Sequence, residues 1–87
     1  AITKDIPPYV MVGGRPTMPH GINSVGMERS GCSPESVRLI RKAYKILYKN
    51  NLRMEDAIEE MEDLAGECDE ISNMVSFLRN VTRGILR

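Results

Sequence analysis

After residue 33, apolar residues recur three and four positions apart in three separate stretches, and residues that begin or end helices bound each one. The first stretch opens with Ser33-Pro34-Glu35, which supplies a hydroxyl N-cap, a proline where no N–H is needed and a carboxylate in the first turn. We predict a helix from Pro34 to about Lys49, ended by Asn50-Asn51. Its apolar stripe comprises Val37, Ile40, Tyr44, Leu47 and Tyr48.

Two shorter helices are predicted to follow. The second runs from about Met54 to Ala65 with Gly66 as its C-cap, and the third is capped by Asp69 and ends near Gly84. Because each helix has one apolar side, the three must pack on each other or on a neighbour, and the pattern predicts a mainly α fold. The apolar positions are Ala57, Ile58, Met61, Leu64 and Ala65 in the second helix and Ile71, Met74, Val75, Leu78 and Val81 in the third.

The first part of the chain has a different character. Residues 1–20 contain four of the five prolines and the pair Gly13-Gly14, which favours short extended pieces joined by turns. The alternation at Val10-Met11-Val12 is typical of a strand. A short fourth helix is expected between Ile22 and Ser30.

Eighty-seven residues form one small domain and exclude a large enzyme fold. The sequence has neither an apolar run as long as a membrane span nor the layout of a signal peptide, so we expect a cytoplasmic protein without membrane insertion. The chain begins at Ala1 on an extended segment, which we interpret as the tail of a longer protein. Cys32 and Cys68 fit neither a disulfide framework nor a metal-site spacing, and we predict reduced, structural thiols and no metal.

The net charge of zero conceals two regions of opposite sign. Residues 1–53 carry nine basic and three acidic side chains, whereas residues 54–87 carry nine acidic and three basic ones. Such a division can pair the predicted helices with each other, or it can leave a basic surface free for an acidic partner.

The first long helix carries a basic face, which consists of Arg38, Arg41, Lys42, Lys45 and Lys49. At about 100° per residue, these side chains fall within roughly 100° of arc, turned away from the apolar stripe. Either this basic face is solvated and pairs with the acidic second helix, or it docks an acidic partner. Nucleic acid is disfavoured by the zero net charge and by tyrosines that lie on the apolar side.

Catalytic candidates are scarce. The single histidine, His20, has no Ser, Cys or carboxylate at a spacing that would make it a catalytic base, and we interpret it as a loop residue. The carboxylates of the second helix are interpreted as its solvated side. The residue pattern alone predicts a helical module without a catalytic residue.

The run Lys4-Asp5-Ile6-Pro7-Pro8-Tyr9-Val10, followed by Gly13-Gly14-Arg15-Pro16, resembles the last coil of the hexapeptide-repeat acyltransferases. Four further segments narrow the resemblance to one family among these transferases. In order and spacing, they are similar to the C-terminal part of the UDP-N-acetylglucosamine acyltransferase family. They are Gly21-Ile22-Asn23, Gly26-Met27-Glu28-Arg29, Ile40-Arg41-Lys42-Ala43-Tyr44-Lys45 and Thr82-Arg83-Gly84-Ile85-Leu86-Arg87.

The resemblance implies a homotrimeric enzyme that moves an (R)-3-hydroxyacyl group from acyl carrier protein to the 3-hydroxyl of UDP-N-acetylglucosamine, the first step of lipid A biosynthesis. It implies no cofactor, because the acyl group arrives on the phosphopantetheine of the carrier protein. The catalytic histidine of the family lies on a left-handed parallel β-helix. Residues 1–20 would be the last strands of that β-helix with a linker, and residues 21–87 the C-terminal helical domain, which is expected to be inactive alone.

The resemblance also implies site residues. Asn23 and Arg29 match positions near the nucleotide end of the substrate, and an arginine suits a pyrophosphate because its guanidinium donates paired, charge-assisted hydrogen bonds. Without the resemblance, Asn23 is equally well a helix cap and Arg29 a surface charge. Arg41 and Lys45 match basic positions where acyl carrier protein is expected to dock, together with the rest of the basic face, Arg38, Lys42 and Lys49.

Two alternatives remain open. A related hexapeptide acyltransferase would use another sugar nucleotide. A non-catalytic helical adaptor would instead use the basic face to bind an acidic protein.

Overall fold

Two strands and four helices make up the computed structural model, which describes residues 5–14, 18–81 and 85. The order predicted from the sequence, extended structure and then one short and three longer helices, is confirmed. The strands are β1, Val10–Gly13, and β2, Met18–Ile22. The helices are α1, Ser24–Arg29; α2, Pro34–Tyr48; α3, Met54–Ala65; and α4, Asp69–Asn80.

The strands β1 and β2 pair antiparallel and form a hairpin. The register joins Val10 to Ile22 and Gly13 to Met18, with an irregularity between Val10 and Val12. The domain boundary predicted after residue 20 falls inside β2 and stays a prediction. The interpretation of His20 as a loop residue is wrong, because His20 lies in β2, where its Nε2 is 3.1 Å from the carbonyl oxygen of Gly13.

The start and stop signals of α2 act as the sequence predicts. The hydroxyl of Ser33 accepts a hydrogen bond from the backbone N–H of Ser36 at 3.0 Å, and Pro34 is the first helical residue. The helix ends at Tyr48, and Asn51 then adopts a φ of 56°, a left-handed conformation that asparagine tolerates better than most residues. The Asn50-Asn51 pair therefore turns the chain toward α3.

The ends of α3 and α4 differ in part from the prediction. Gly66 is the C-cap of α3, as predicted, but its φ of −67° is right-handed, so this position does not depend on the conformational freedom of glycine. The prediction that Asp69 caps α4 is wrong. Cys68 occupies the cap position without a side-chain hydrogen bond to the backbone of the first turn, and Asp69 is the first helical residue, where its charge still favours the helix N-terminus.

The helix α4 is also shorter than predicted, because it ends at Asn80 and Val81 is already extended. The next described residue, Ile85, is buried and forms a parallel bridge with Asp5. The predicted end at Gly84 lies outside the described residues, as do Lys4, Arg15-Pro16 and most of the C-terminal segment that the resemblance used.

The hydrophobic core lies between α2, α3 and α4. Its fully buried large side chains are Ile40, Leu47, Met61, Ile71 and Met74. All were predicted on apolar stripes, but α2 buries a wider face than its predicted stripe, because Leu39, Ala43 and Ile46 are buried too. The wider face is explained by contacts of α2 with β2 and α1 in addition to α3 and α4.

Candidate functional site

A shallow cavity of about 380 Å³ lies where the start of β1 meets α1 and the loop after it. Of the residues that line it, the resemblance implied a substrate-binding role only for Asn23. The lining residues are Tyr9, Asn23, Gly26, Met27, Ser30 and Cys32.

Asn23 caps the first helix. Its Oδ1 accepts a hydrogen bond from the backbone N–H of Gly26 at 3.1 Å, which satisfies one of the free donors at the start of α1. Gly26 permits this close approach, because a Cβ at position 26 would lie 2.5 Å from Nδ2 of Asn23. The Nδ2 group makes no hydrogen bond within the described residues, so a donor remains on the exposed side of Asn23.

Arg29 lies in the last turn of α1, about 9 Å along the helix axis from Asn23 by helical rise. It is exposed, does not line the cavity, and forms no ion pair with any described carboxylate. The structure therefore places Asn23 and Arg29 at opposite ends of one short helix. A ligand that contacts both must lie along α1.

Tyr9 was missed by the sequence analysis, although it anchors the cavity. Its backbone has a φ of 68°, and its carbonyl oxygen accepts the N–H of Asn23 at 2.9 Å. Its hydroxyl oxygen accepts a hydrogen bond from Nδ2 of Asn73 on α4 at 3.3 Å. Left-handed backbone is uncommon for an aromatic residue, and no local sequence signal indicates it.

All five residues of the basic face are exposed on α2. Arg38 pairs with Glu35 one turn earlier, and this hydrogen-bonded pair lowers the pKa of Glu35 and raises that of Arg38. Within residues 5–14, 18–81 and 85, the other four residues, Arg41, Lys42, Lys45 and Lys49, form no ion pair.

Acidic side chains of α3 form ion pairs with arginines that lie outside α2. Arg53, just before the helix, lies 3.6 Å from Glu55 and 3.7 Å from Asp56, and Arg79 of α4 pairs with Glu62. The alternative in which the basic face pairs with α3 is thus not observed among the described residues. Four basic side chains of α2 are left facing solvent.

His20 is exposed, and its hydrogen bond goes to a backbone carbonyl rather than to a carboxylate that would orient it for catalysis. No helix in the described part of the chain has the length and apolar character needed to cross a membrane.

The fold and the site define a mainly α domain with an exposed basic helix and a small cavity at its junction with extended structure. Residues 5–86 match the family described as Udp N-acetylglucosamine O-acyltransferase, Domain 2. The chain belongs to this family.

The relatives agree with the family match. The chain is 43% identical over 86 residues to the acyl-[acyl-carrier-protein]–UDP-N-acetylglucosamine O-acyltransferase of Halorhodospira halophila, covering 99% of this chain and 33% of the relative. It is 42% identical to the enzyme of the same name from Burkholderia mallei, covering 100% of this chain and 35% of the relative. The chain therefore spans about a third of the length of these relatives.

Solved structures give the same result. The UDP-N-acetylglucosamine acyltransferase of Francisella novicida matches with a TM-score of 0.92 at 38% identity, covering 99% of this chain and 32% of that protein. The Bacteroides fragilis enzyme also has a TM-score of 0.92, at 41% identity, covering 99% of this chain and 34% of that protein. These matches confirm both the resemblance and the fold class, and they favour the transferase over an adaptor.

Proposed function

We propose that this chain is the C-terminal helical domain of an acyltransferase that moves an (R)-3-hydroxyacyl group from acyl carrier protein to the 3-hydroxyl of UDP-N-acetylglucosamine. The observation that carries the proposal is the family match over residues 5–86, together with relatives named for this reaction. The proposal places the protein in the cytoplasm, as a homotrimer at the first step of lipid A biosynthesis. No cofactor is needed when the acyl group arrives on the carrier's phosphopantetheine.

The proposal is tested by comparing this chain with the full-length protein that contains it. We expect the full-length protein to acylate UDP-N-acetylglucosamine with (R)-3-hydroxyacyl carrier protein, and this chain alone to be inactive, because none of its described residues forms a catalytic base. The reaction is followed by mass spectrometry of the acylated nucleotide. Turnover by this chain alone, or a full-length protein that prefers a different sugar nucleotide, would contradict the proposal.

Within this function, we propose that the basic face of α2 docks the carrier protein, an acidic helical partner. The support is physical: four exposed cations without an ion pair to a described carboxylate lie on one side of one helix. Such a surface attracts a partner of opposite charge and orients it before contact. The alternative, an adaptor that binds some other acidic protein, would use the same surface without any nucleotide requirement.

We further propose that Asn23 and Arg29 contact the nucleotide end of the substrate. The support for Asn23 is its position in the cavity wall with a free amide donor, and the support for Arg29 is an exposed guanidinium without a described carboxylate partner. A guanidinium can donate two parallel hydrogen bonds to a phosphate.

Two kinetic tests separate these roles in the full-length protein. Arg41→Glu with Lys45→Glu is expected to raise KM for acyl carrier protein about tenfold or more while leaving KM for UDP-N-acetylglucosamine unchanged. Arg29→Gln and Asn23→Ser are expected to raise KM for UDP-N-acetylglucosamine while leaving KM for acyl carrier protein unchanged. Serine at position 23 keeps a capping oxygen, so that α1 stays folded. If each variant raised both constants equally, the assignment of separate surfaces would be wrong.

A further inference from the structure

Cys32 and Cys68 contact opposite oxygens of one carboxylate. The Cys32 thiol donates to Oε1 of Glu70 at 3.5 Å, and the Cys68 thiol donates to Oε2 of Glu70 at 3.2 Å. Both cysteines are free. Cys32 precedes the Ser33 cap of α2 and Cys68 occupies the cap position of α4, so Glu70 links two thiols that are distant in sequence but lie near the starts of two helices.

We propose that Cys32 and Cys68 form a redox pair, which closes to an intrachain disulfide joining the loop before α2 to the start of α4. This inference does not depend on the proposed function. It goes beyond the sequence interpretation of reduced, structural thiols, which considered only their spacing along the chain.

The two thiols differ in exposure to solvent, so they have different roles in the reaction. Cys32 is half-buried and lines the cavity beside Asn23 and Ser30, where a small oxidant from solvent can reach it. Cys68 is only 5% exposed and does not line the cavity. Cys32 is therefore the sulfur that reacts first, and Cys68 is the resolving thiol that attacks second.

The oxidant is a low-molecular-weight disulfide such as oxidised glutathione. The Cys32 thiolate attacks one glutathione sulfur and expels the other glutathione as a thiolate, which takes up the proton that Cys32 lost. The Cys68 thiolate then attacks the Cys32 sulfur and expels the second glutathione, which takes up the Cys68 proton. Two protein thiols are thus oxidised to one disulfide, and one glutathione disulfide is reduced to two thiols.

Glu70 restrains this reaction. Burial raises the pKa of the Cys32 thiol, and so do its hydrogen bond to Glu70 and the negative charges of Glu70 and Cys68 nearby. The Glu70 carboxylate therefore favours the protonated form of the Cys32 thiol, and the protonated thiol is unreactive. Removing the charge at position 70 should speed disulfide formation without supplying any new group.

The experiment exposes the reduced, purified protein to oxidised glutathione without oxygen, quenches with acid and measures intact mass and peptide maps over time. We expect a monomer lighter by two hydrogen atoms, with a peptide linking Cys32 to Cys68. The control variant Cys68→Ser should instead accumulate glutathione on Cys32, because its resolving thiol is absent. The variant Cys32→Ser should react far more slowly.

The Glu70→Gln variant should form the disulfide severalfold faster than the original protein. An unchanged rate would show that Glu70 has no restraining role. The pair itself would be overturned by stable glutathionylation of Cys32 with Cys68 still a thiol in the original protein, by thiols that do not react, or by disulfide-linked dimers as the main product.

Discussion

Ser33 ends the irregular loop and begins α2, where its hydroxyl oxygen accepts a hydrogen bond from the backbone N–H of Ser36. Ser33→Ala is expected to lower the free energy of unfolding by about 1 kcal/mol, because it leaves a helical N–H without its partner. Urea unfolding followed by circular dichroism measures the change. Ser76→Ala, an exposed serine inside α4, is the matched control and should change stability by a few tenths of a kcal/mol at most. Equal effects of the two substitutions would contradict the assigned cap.

Glu70 gives the fold a pH dependence of known sign. The hydrogen bond from the Cys68 thiol lowers the pKa of Glu70, with a further contribution from the thiol of Cys32. A carboxyl group whose pKa is lowered on folding stabilises the fold above its unfolded pKa of about 4.3, and that contribution is lost as the pH falls through the folded value.

Glu70→Gln tests this dependence, because glutamine keeps one accepting oxygen but does not titrate. The unfolding free energies of the two proteins are expected to differ most near neutral pH and to converge once the pH has fallen below the lowered pKa of Glu70 in the folded protein. Chemical unfolding at a series of pH values under reducing conditions measures the difference. A difference that is constant with pH would contradict the role of the Glu70 charge.

The sequence predicted the conformation of single residues where a side chain bonds to a residue close to it in the chain. The Ser33-Pro34 start is such a case, because a cap bonds to a backbone group three residues away. The cap predicted at Asp69 failed because tertiary contacts decide the first helical residue of α4: Cys68 is buried and extended there. The left-handed backbone of Tyr9 depends on its partners Asn23 and Asn73, which lie far away in sequence.

The helices depend on shared apolar contacts rather than on propensity. Leu47 of α2 is fully buried, and Leu47→Ala is expected to lower the unfolding free energy by about 2–5 kcal/mol through lost burial and the cavity left behind. The control Met11→Ala removes a side chain of similar size that is 49% exposed, and it should cost far less. Comparable losses in urea unfolding would mean that Leu47 is not in the core.

At the scale of elements, periodicity predicted the bounds of α2 and α3 to within a residue or two, because each helix must bury one continuous face. The hairpin was less predictable. Alternation indicated a strand at Val10-Met11-Val12, but it could not give the register with β2 or its irregularity, and β2 also packs against α2. The length of α4 was overestimated because the apolar pattern continues to Val81, whereas the backbone is already extended at that residue.

The candidate site belongs to the scale of the whole molecule. The basic face was predictable because its five residues share one helix, so helical spacing alone places them together. The cavity was not, since it joins Tyr9 before β1 to Asn23, Ser30 and Cys32 around α1. The Cys32–Glu70–Cys68 cluster likewise needs the packing of α4 against the loop before α2.

We propose that the exposed basic face of α2 binds acyl carrier protein when the domain is part of a UDP-N-acetylglucosamine acyltransferase. The most direct measurement is a calorimetric titration of the full-length protein with acyl carrier protein at low and at moderate salt, repeated with Arg41→Glu combined with Lys45→Glu. The control is Arg53→Glu combined with Arg79→Glu, which changes the net charge equally but lies off the basic face, where exposed ion pairs contribute little to stability.

The account predicts binding that weakens with salt, is lost in the Arg41 and Lys45 double variant, and persists in the control. Absence of binding at low salt, or equal weakening in both double variants, would contradict it.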